Sequence, residues 1–191
     1  MKIAELLMVA AATCISTSAF ALTDAEYKTE KDRISTEYKT AKSQCKSMKG
    51  NAKDVCEEEA KGRQKVAEAE LAHQRDPSEK NRYDLAKAKA DAAHEVAKEK
   101  CDDLKGNDKD VCKKDAKAEH VRALEAAKVT EARQDSDRSG DAKAANVAET
   151  RKDAADNVRE AEYKAARERC DAMSGDAKDT CVNDAKRQFG Q

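Results

Sequence analysis

The chain has 191 residues, enough for one domain or two, with 40% charged residues, 3% aromatic residues, no Trp and one Pro. Ala, Lys, Glu and Asp carry it and large aliphatic residues are sparse. This excludes a thick hydrophobic core and places the sequence between long-helix proteins and disorder. Lys and Arg number 38 against 39 Asp and Glu, a formal net charge of −1, so there is no electrostatic basis for a nucleic acid or an anionic membrane as partner.

Residues 1–21 read as a secretory signal peptide. Lys2 supplies a short basic region, although Glu5 within it is unusual. Leu6 to Ile15 is an apolar run of signal length, too short to span a bilayer. Ala19-Phe20-Ala21 is an A-x-A cleavage site, which starts the mature chain at Leu22. A lipoprotein reading would use Cys14, but Thr13 stands where a small Gly or Ala is wanted; a retained anchor is the other alternative. No later stretch is apolar enough to cross a membrane. Of the seven cysteines, Cys14 leaves with the signal and six remain in an exported chain. An even number in an oxidising compartment points to disulfides.

The mature chain contains three copies of one pattern: Cys45-KSMKGNAKDV-Cys56, Cys101-DDLKGNDKDV-Cys112 and Cys170-DAMSGDAKDT-Cys181. An acid-Ala-Lys triplet follows each. The copies are unevenly spaced, which argues against a strict solenoid. Each copy reads as helix, turn, helix. Gly50, Gly106 and Gly175 suit the left-handed position that ends a helix. Asn51, Asn107 and Asp176 suit the N-cap of the next, with Asp54, Asp110 and Asp179 three residues on. A helix that ends beside the start of its successor must fold back, and the two cysteines then face each other about one and a half turns from the tip. The expected pairs are Cys45–Cys56, Cys101–Cys112 and Cys170–Cys181.

The arms carry apolar residues at steps of three and four, marking one helix face. Before the first turn these are Tyr27, Ile34, Tyr38, Ala41, Cys45 and Met48. Before the second they are Tyr83, Ala86, Ala90, Ala93, Ala97, Cys101 and Leu104. Tyr163, Ala166, Cys170 and Met173 repeat the pattern before the third. Asp76-Pro77-Ser78-Glu79 reads as a stop and restart, with Asp76 as cap, Pro77 at the first helical position and Glu79 at the third. Asp135–Asp141 is a second break. The expected fold is therefore all-α: three long, coiled-coil-like antiparallel hairpins over 22–75, 76–134 and 135–191, each stapled at its tip by a disulfide. A stripe made mostly of Ala buries little area, so the hairpins are expected to open almost independently.

Signals for chemistry are absent. The cysteine spacing is too wide for a zinc knuckle and no His lies within a turn. There is no C-x-x-C, no nucleophilic triad order and no phosphate loop. His73, His94 and His120 read as lone residues on charged helices. Acid clusters at Glu57-Glu58-Glu59 and Asp102-Asp103 leave weak cation binding as an alternative. The chain is expected not to be an enzyme and to carry no cofactor.

The repeated C-x-x-[ML]-x-G-[ND]-x-K-D-x-C segments, with the lead-ins Tyr38-Lys39-Thr40-Ala41-Lys42 and Tyr163-Lys164-Ala165-Ala166-Arg167 and the signal peptide, resemble small secreted proteobacterial Cys-repeat proteins, some labelled TolA-like cell envelope biogenesis proteins. The resemblance implies a periplasmic or secreted, non-enzymatic structural or interaction protein, with an envelope-stress role within the same reading. Its partner would be an envelope protein or a second copy. Arms such as Leu85–Lys100 are also similar in composition to late embryogenesis abundant proteins, which implies a hydrophilic protectant or chaperone-like protein as the second reading and leaves a metal-binding module as the third.

Overall fold

The computed structural model describes residues 22–191; the signal segment, Cys14 and the cleavage site lie outside the described residues. Six α-helices follow one another: α1 Asp24–Cys45, α2 Asn51–Arg75, α3 Glu79–Lys100, α4 Gly106–Gln134, α5 Gly140–Arg169 and α6 Gly175–Phe189. One turn of 3-10 helix continues α3 over Cys101–Asp103, and another continues α5 over Cys170–Ala172. The described residues contain no strand. High helix propensity of Ala, Glu, Lys and Arg accounts for the length of the elements.

Two helix starts are capped by side chains. Thr23 and Glu26 form a capping box, with the Thr23 N–H donating to Glu26 Oε2 at 2.9 Å and the Glu26 N–H donating to Thr23 Oγ1 at 3.3 Å. Ser78 caps α3, accepting from the Asn81 N–H at 3.4 Å. The restart therefore lies two residues later than Asp76 would place it, and Pro77 precedes the cap. Pro77 supplies no N–H, so the first side chain able to satisfy the new helix is the next one, Ser78.

Every extensive packing contact joins helices adjacent in sequence. Cross-helix partners run in opposite directions along each pair. Arg75 at the end of α2 reaches Asp24 at the start of α1 (2.7 Å) and lies over the Tyr27 ring. On α3, Lys89 meets Glu70 and Lys100 meets Glu59, both at 3.5 Å. On α4 and α5, Arg122 meets Glu162 at 2.5 Å and Asp115 meets Arg169 at 2.6 Å. The most extensive seams are α4 with α5 and α2 with α3, across the two breaks; α5 with α6 is the smallest. Segments expected to open almost independently share their largest seams with each other.

The buried side chains explain how so little apolar bulk suffices. Most are Ala, among them Ala60, Ala90, Ala116, Ala127, Ala154 and Ala165; Ile34 and Leu71 are the large aliphatic ones. The largest fully buried side chains are Cys45, Cys101 and Cys170. Small residues let helix axes approach closely, so dispersion contacts replace part of the missing hydrophobic volume. A close approach lies at the α2–α3 seam, where a Cβ on Gly62 would stand 3.0 Å from the Ala92 Cβ. At the α4–α5 seam the buried Glu125 accepts from Asn157 Nδ2 (3.1 Å) and from Lys128 Nζ (2.8 Å). A buried carboxylate needs such partners, and the Asn157 bond links the two helices.

The turn chemistry differs from the expected one. All three glycines have positive φ, near +55°, but Gly50 has ψ −150°, outside the left-handed helical region. Gly50 is the residue before α2, while Gly106 and Gly175 are the first residues of α4 and α6. No side chain caps α2, α4 or α6, so Asn51, Asn107 and Asp176 do not act as N-caps. The preceding α-helix ends at Cys45 in the first connection and one residue before the cysteine in the other two, where a 3-10 turn follows, and the glycine re-aims the chain into the new helix. Asn51 instead donates from Nδ2 to the Glu99 carbonyl oxygen at 2.8 Å, tying the start of α2 to the end of α3. The first-turn acids are Asp54, Asp108 and Asp176, which favour the helix dipole. Gly140 adopts the same positive φ at the start of α5. Its surroundings, Ser139-Gly140-Asp141-Ala142-Lys143, repeat Ser174-Gly175-Asp176-Ala177-Lys178, a signal available in the sequence.

Candidate functional site

Three disulfides join Cys45 to Cys56, Cys101 to Cys112 and Cys170 to Cys181, with Cα–Cα distances of 5.6, 5.6 and 5.7 Å. Each first cysteine ends or just follows a helix, and each second lies in the early turns of the next. The three bridges share one edge of the molecule. Asn51, beside the first, bonds Glu99 beside the second. Lys114 and Asp115, just past the second, pair with Glu168 and Arg169 just before the third.

The residues three after each first cysteine are exposed, Met48 by 44%, Leu104 by 42% and Met173 by 47%. They were expected to extend the buried stripe. The helix has ended before them: Leu104 and Met173 have extended backbones (ψ 167° and 168°), which carry the side chain off the packed face. The edge therefore displays three apolar side chains on disulfide-braced connections.

The connections are not identical. In the second and third, the acid after the cysteine reaches the lysine seven residues on. Asp102 meets Lys109 at 3.1 Å and Lys113 at 2.7 Å, and Asp171 meets Lys178 at 2.8 Å. These hydrogen bonds hold both carboxyls below their ordinary range. The first connection has Lys46 and Lys53 at the equivalent positions and lacks the 3-10 turn. Asp102 is thus committed to lysines, as Glu58 is to Lys61 at 2.9 Å. Among the described residues no group of three or more His, Cys, Asp or Glu is arranged to hold a metal ion.

Two of the histidines, His94 and His120, pair across the α3–α4 seam and are not lone residues. The His94 and His120 rings stack with centroids 4.5 Å apart and planes 16° apart. His94 Nδ1 lies 3.2 Å from the Ala116 carbonyl oxygen, His120 Nε2 lies 2.6 Å from Asp91 Oδ1, and Lys117 Nζ lies 3.4 Å from His120 Nδ1. Burial, then the facing His120, hold His94 below its ordinary value of 6.5, outweighing the Ala116 hydrogen bond and Glu95. In the unfolded chain His94 takes up a proton near 6.5; in the folded chain it does so only at lower pH. The unfolded state binds more protons in that window, so the stabilisation is complete above 6.5 and is lost as pH falls through the folded value. Burial disfavours charge on Asp91, but hydrogen bonds from Lys87 and His120 outweigh it and keep its carboxyl below 3.8, so its contribution is lost in a lower window. The thermal midpoint is expected to fall between about pH 7 and about pH 5, and His94→Gln should flatten that fall. A midpoint that rises on acidification, or an unchanged slope in the variant, would contradict the assignment.

Two surface grooves follow from the seams. One lies over α5 between α4 and α6, about 1330 Å³, with Ala165 and Ala166 in its floor and Met173 and Phe189 in its lining. The other, about 580 Å³, lies along α2 and α3, lined by Val66, Ala67, Ala93 and Val96. No helix among the described residues is long and apolar enough to cross a membrane. No protein-family model, curated protein or solved structure matches the chain.

Proposed function

We propose that the chain is an exported, non-enzymatic interaction protein of the bacterial cell envelope, built as three disulfide-stapled helical hairpins in coiled-coil-like contact. The observation that supports this most is the set of three cysteine pairs, each eleven residues apart, each bridged beside a connection between helices, and all along one edge. Disulfides of this kind persist in oxidising compartments, and they fit a mature chain beginning at Leu22. The same bridges occupy the six thiols that a zinc-binding module would need as thiolates. The braced edge with Met48, Leu104 and Met173, and the open grooves beside it, supply surfaces for a partner rather than a reaction centre.

The test is intact-mass measurement on protein recovered from the periplasm. A chain starting at Leu22, lighter than its reduced form by six hydrogens and inert to thiol reagents before reduction, is the expected result. A full-length or lipidated mass, or six reactive thiols, would overturn the reading.

A further inference from the structure

We infer that the groove over α5, between α4 and α6, is the docking site for a basic amphipathic helix; this rests on reading the chain as an interaction protein and names the chemistry of its partner. The groove is long enough for a short helix. Its α6 wall is 15 residues long, roughly 22 Å at 1.5 Å per residue. Along that wall Asp176, Thr180, Asp184 and Gln188 follow at steps of four, a single ridge facing the groove. Opposite, Asp115, Glu119 and Arg122 form the α4 wall. The floor and lower walls are small, with Ala118, Ala165, Ala166, Ala177 and Ala185, so an incoming helix can approach closely. Met173 and Phe189 provide the larger apolar contacts, Met173 being the exposed residue of the third disulfide connection. An apolar stripe on the ligand is what such a trough would cover.

Charge selects among the helices that would fit. Five carboxylates line the groove, Asp115, Glu119, Glu162, Asp176 and Asp184, against Arg122 and Arg169 in the lining and Arg187, which pairs with Asp184 from just outside it, a surplus of two negative charges. The whole chain carries only −1, so negative charge is concentrated here. Both lining guanidiniums are already engaged, Arg122 by Glu119 and Glu162 and Arg169 by Asp115. Four of the five carboxylates share these pairs and the Arg187 pair, so the negative excess an incoming cation would meet comes from Asp176 and from two acids sharing Arg122. A helix with Lys or Arg flanking an apolar stripe would complement the rim and cover the floor, and complementarity of this kind governs encounter and choice of partner.

The test is fluorescence anisotropy with the mature, disulfide-bonded protein and a labelled helical peptide of about 14 residues built from Lys, Leu and Ala, long enough to fill a groove of roughly 22 Å. A companion peptide has every Lys replaced by Glu. The basic peptide is expected to bind and the acidic one not to. Asp176→Lys with Asp184→Lys, both exposed positions, should weaken binding roughly tenfold or more, about 1.4 kcal/mol. Circular dichroism checks that this variant folds. If it does not, Phe189→Ser replaces it and should weaken the basic peptide through its apolar stripe. Equal binding of both peptides, no binding, or binding untouched by the folded variant would overturn the proposal. So would light scattering showing a dimer that the peptide cannot disperse, since a second copy would then cover the groove. Failure to bind leaves export and oxidation, read by intact mass, standing; a reduced, unexported chain overturns that reading whatever the peptide does.

Discussion

Replacing Cys170 and Cys181 together by Ala is expected to release α6 while the rest of the chain stays folded. The bridge closes a loop with a sequence separation of 11, and its loss should cost about 3 kcal/mol in the chain-entropy account. Little else holds α6. It has one neighbour of consequence, α5, and theirs is the smallest seam between helices. At 15 residues, with Ala185 its one buried side chain, it is near the length at which isolated helices are marginal. Amide protection over Gly175–Phe189 should therefore fall about a hundredfold, as 3 kcal/mol requires. The matching variant at Cys101 and Cys112 should lose far less local protection, because α3 and α4 also meet through the His94–His120 stack and the His120–Asp91 contact. Hydrogen exchange read by mass spectrometry decides it. Equal losses at the two sites would show that the α5–α6 packing carries more than its area implies.

Gly62→Leu should destabilise the protein by about 2 kcal/mol, against the sign that helix propensity alone would give. On an exposed helix the same change should stabilise by about 0.8 kcal/mol. Here even a Cβ would sit 3.0 Å from the Ala92 Cβ and 3.6 Å from its Cα. Leu would have to push α2 and α3 apart along one of the two largest seams. The thermal midpoint should drop by roughly 4–8 °C for a chain of this size. Gly62→Ala should be close to neutral, since the propensity gain of about 1 kcal/mol opposes a contact only slightly too tight. Ala92→Gly should return part of what Gly62→Leu removes. A stabilised Gly62→Leu protein would mean that the α2–α3 seam is not closed in solution.

Helix positions, the connections and the disulfides were legible in the sequence because each depends on residues close along the chain. Ala, Glu and Lys set helix propensity over whole arms, and a cysteine pair eleven residues apart has few other ways to close. Thr23-x-x-Glu26 and the second Ser-Gly-Asp-Ala-Lys were equally local and equally readable. The turn glycines were legible as positive-φ positions, but not their ψ, which depends on how far before them the helix stops.

What only the tertiary structure decided is which helix faces meet, because that depends on register between segments with no local link. His94 and His120 are separated along the chain by more than seven helical turns, and their stack exists only once α3 and α4 align. The alignment of α2 with α3 likewise decides that Gly62, a helix-weakening residue in isolation, is a close-contact point with Ala92. Met48, Leu104 and Met173 stand outside the packed face for a local reason, the end of the helix before them, although their spacing continues the apolar stripe. In a chain whose core is mostly Ala, no single side chain is bulky enough to announce its partner. The register is chosen collectively, by small contacts and by the carboxylate and amide of Glu125 and Asn157.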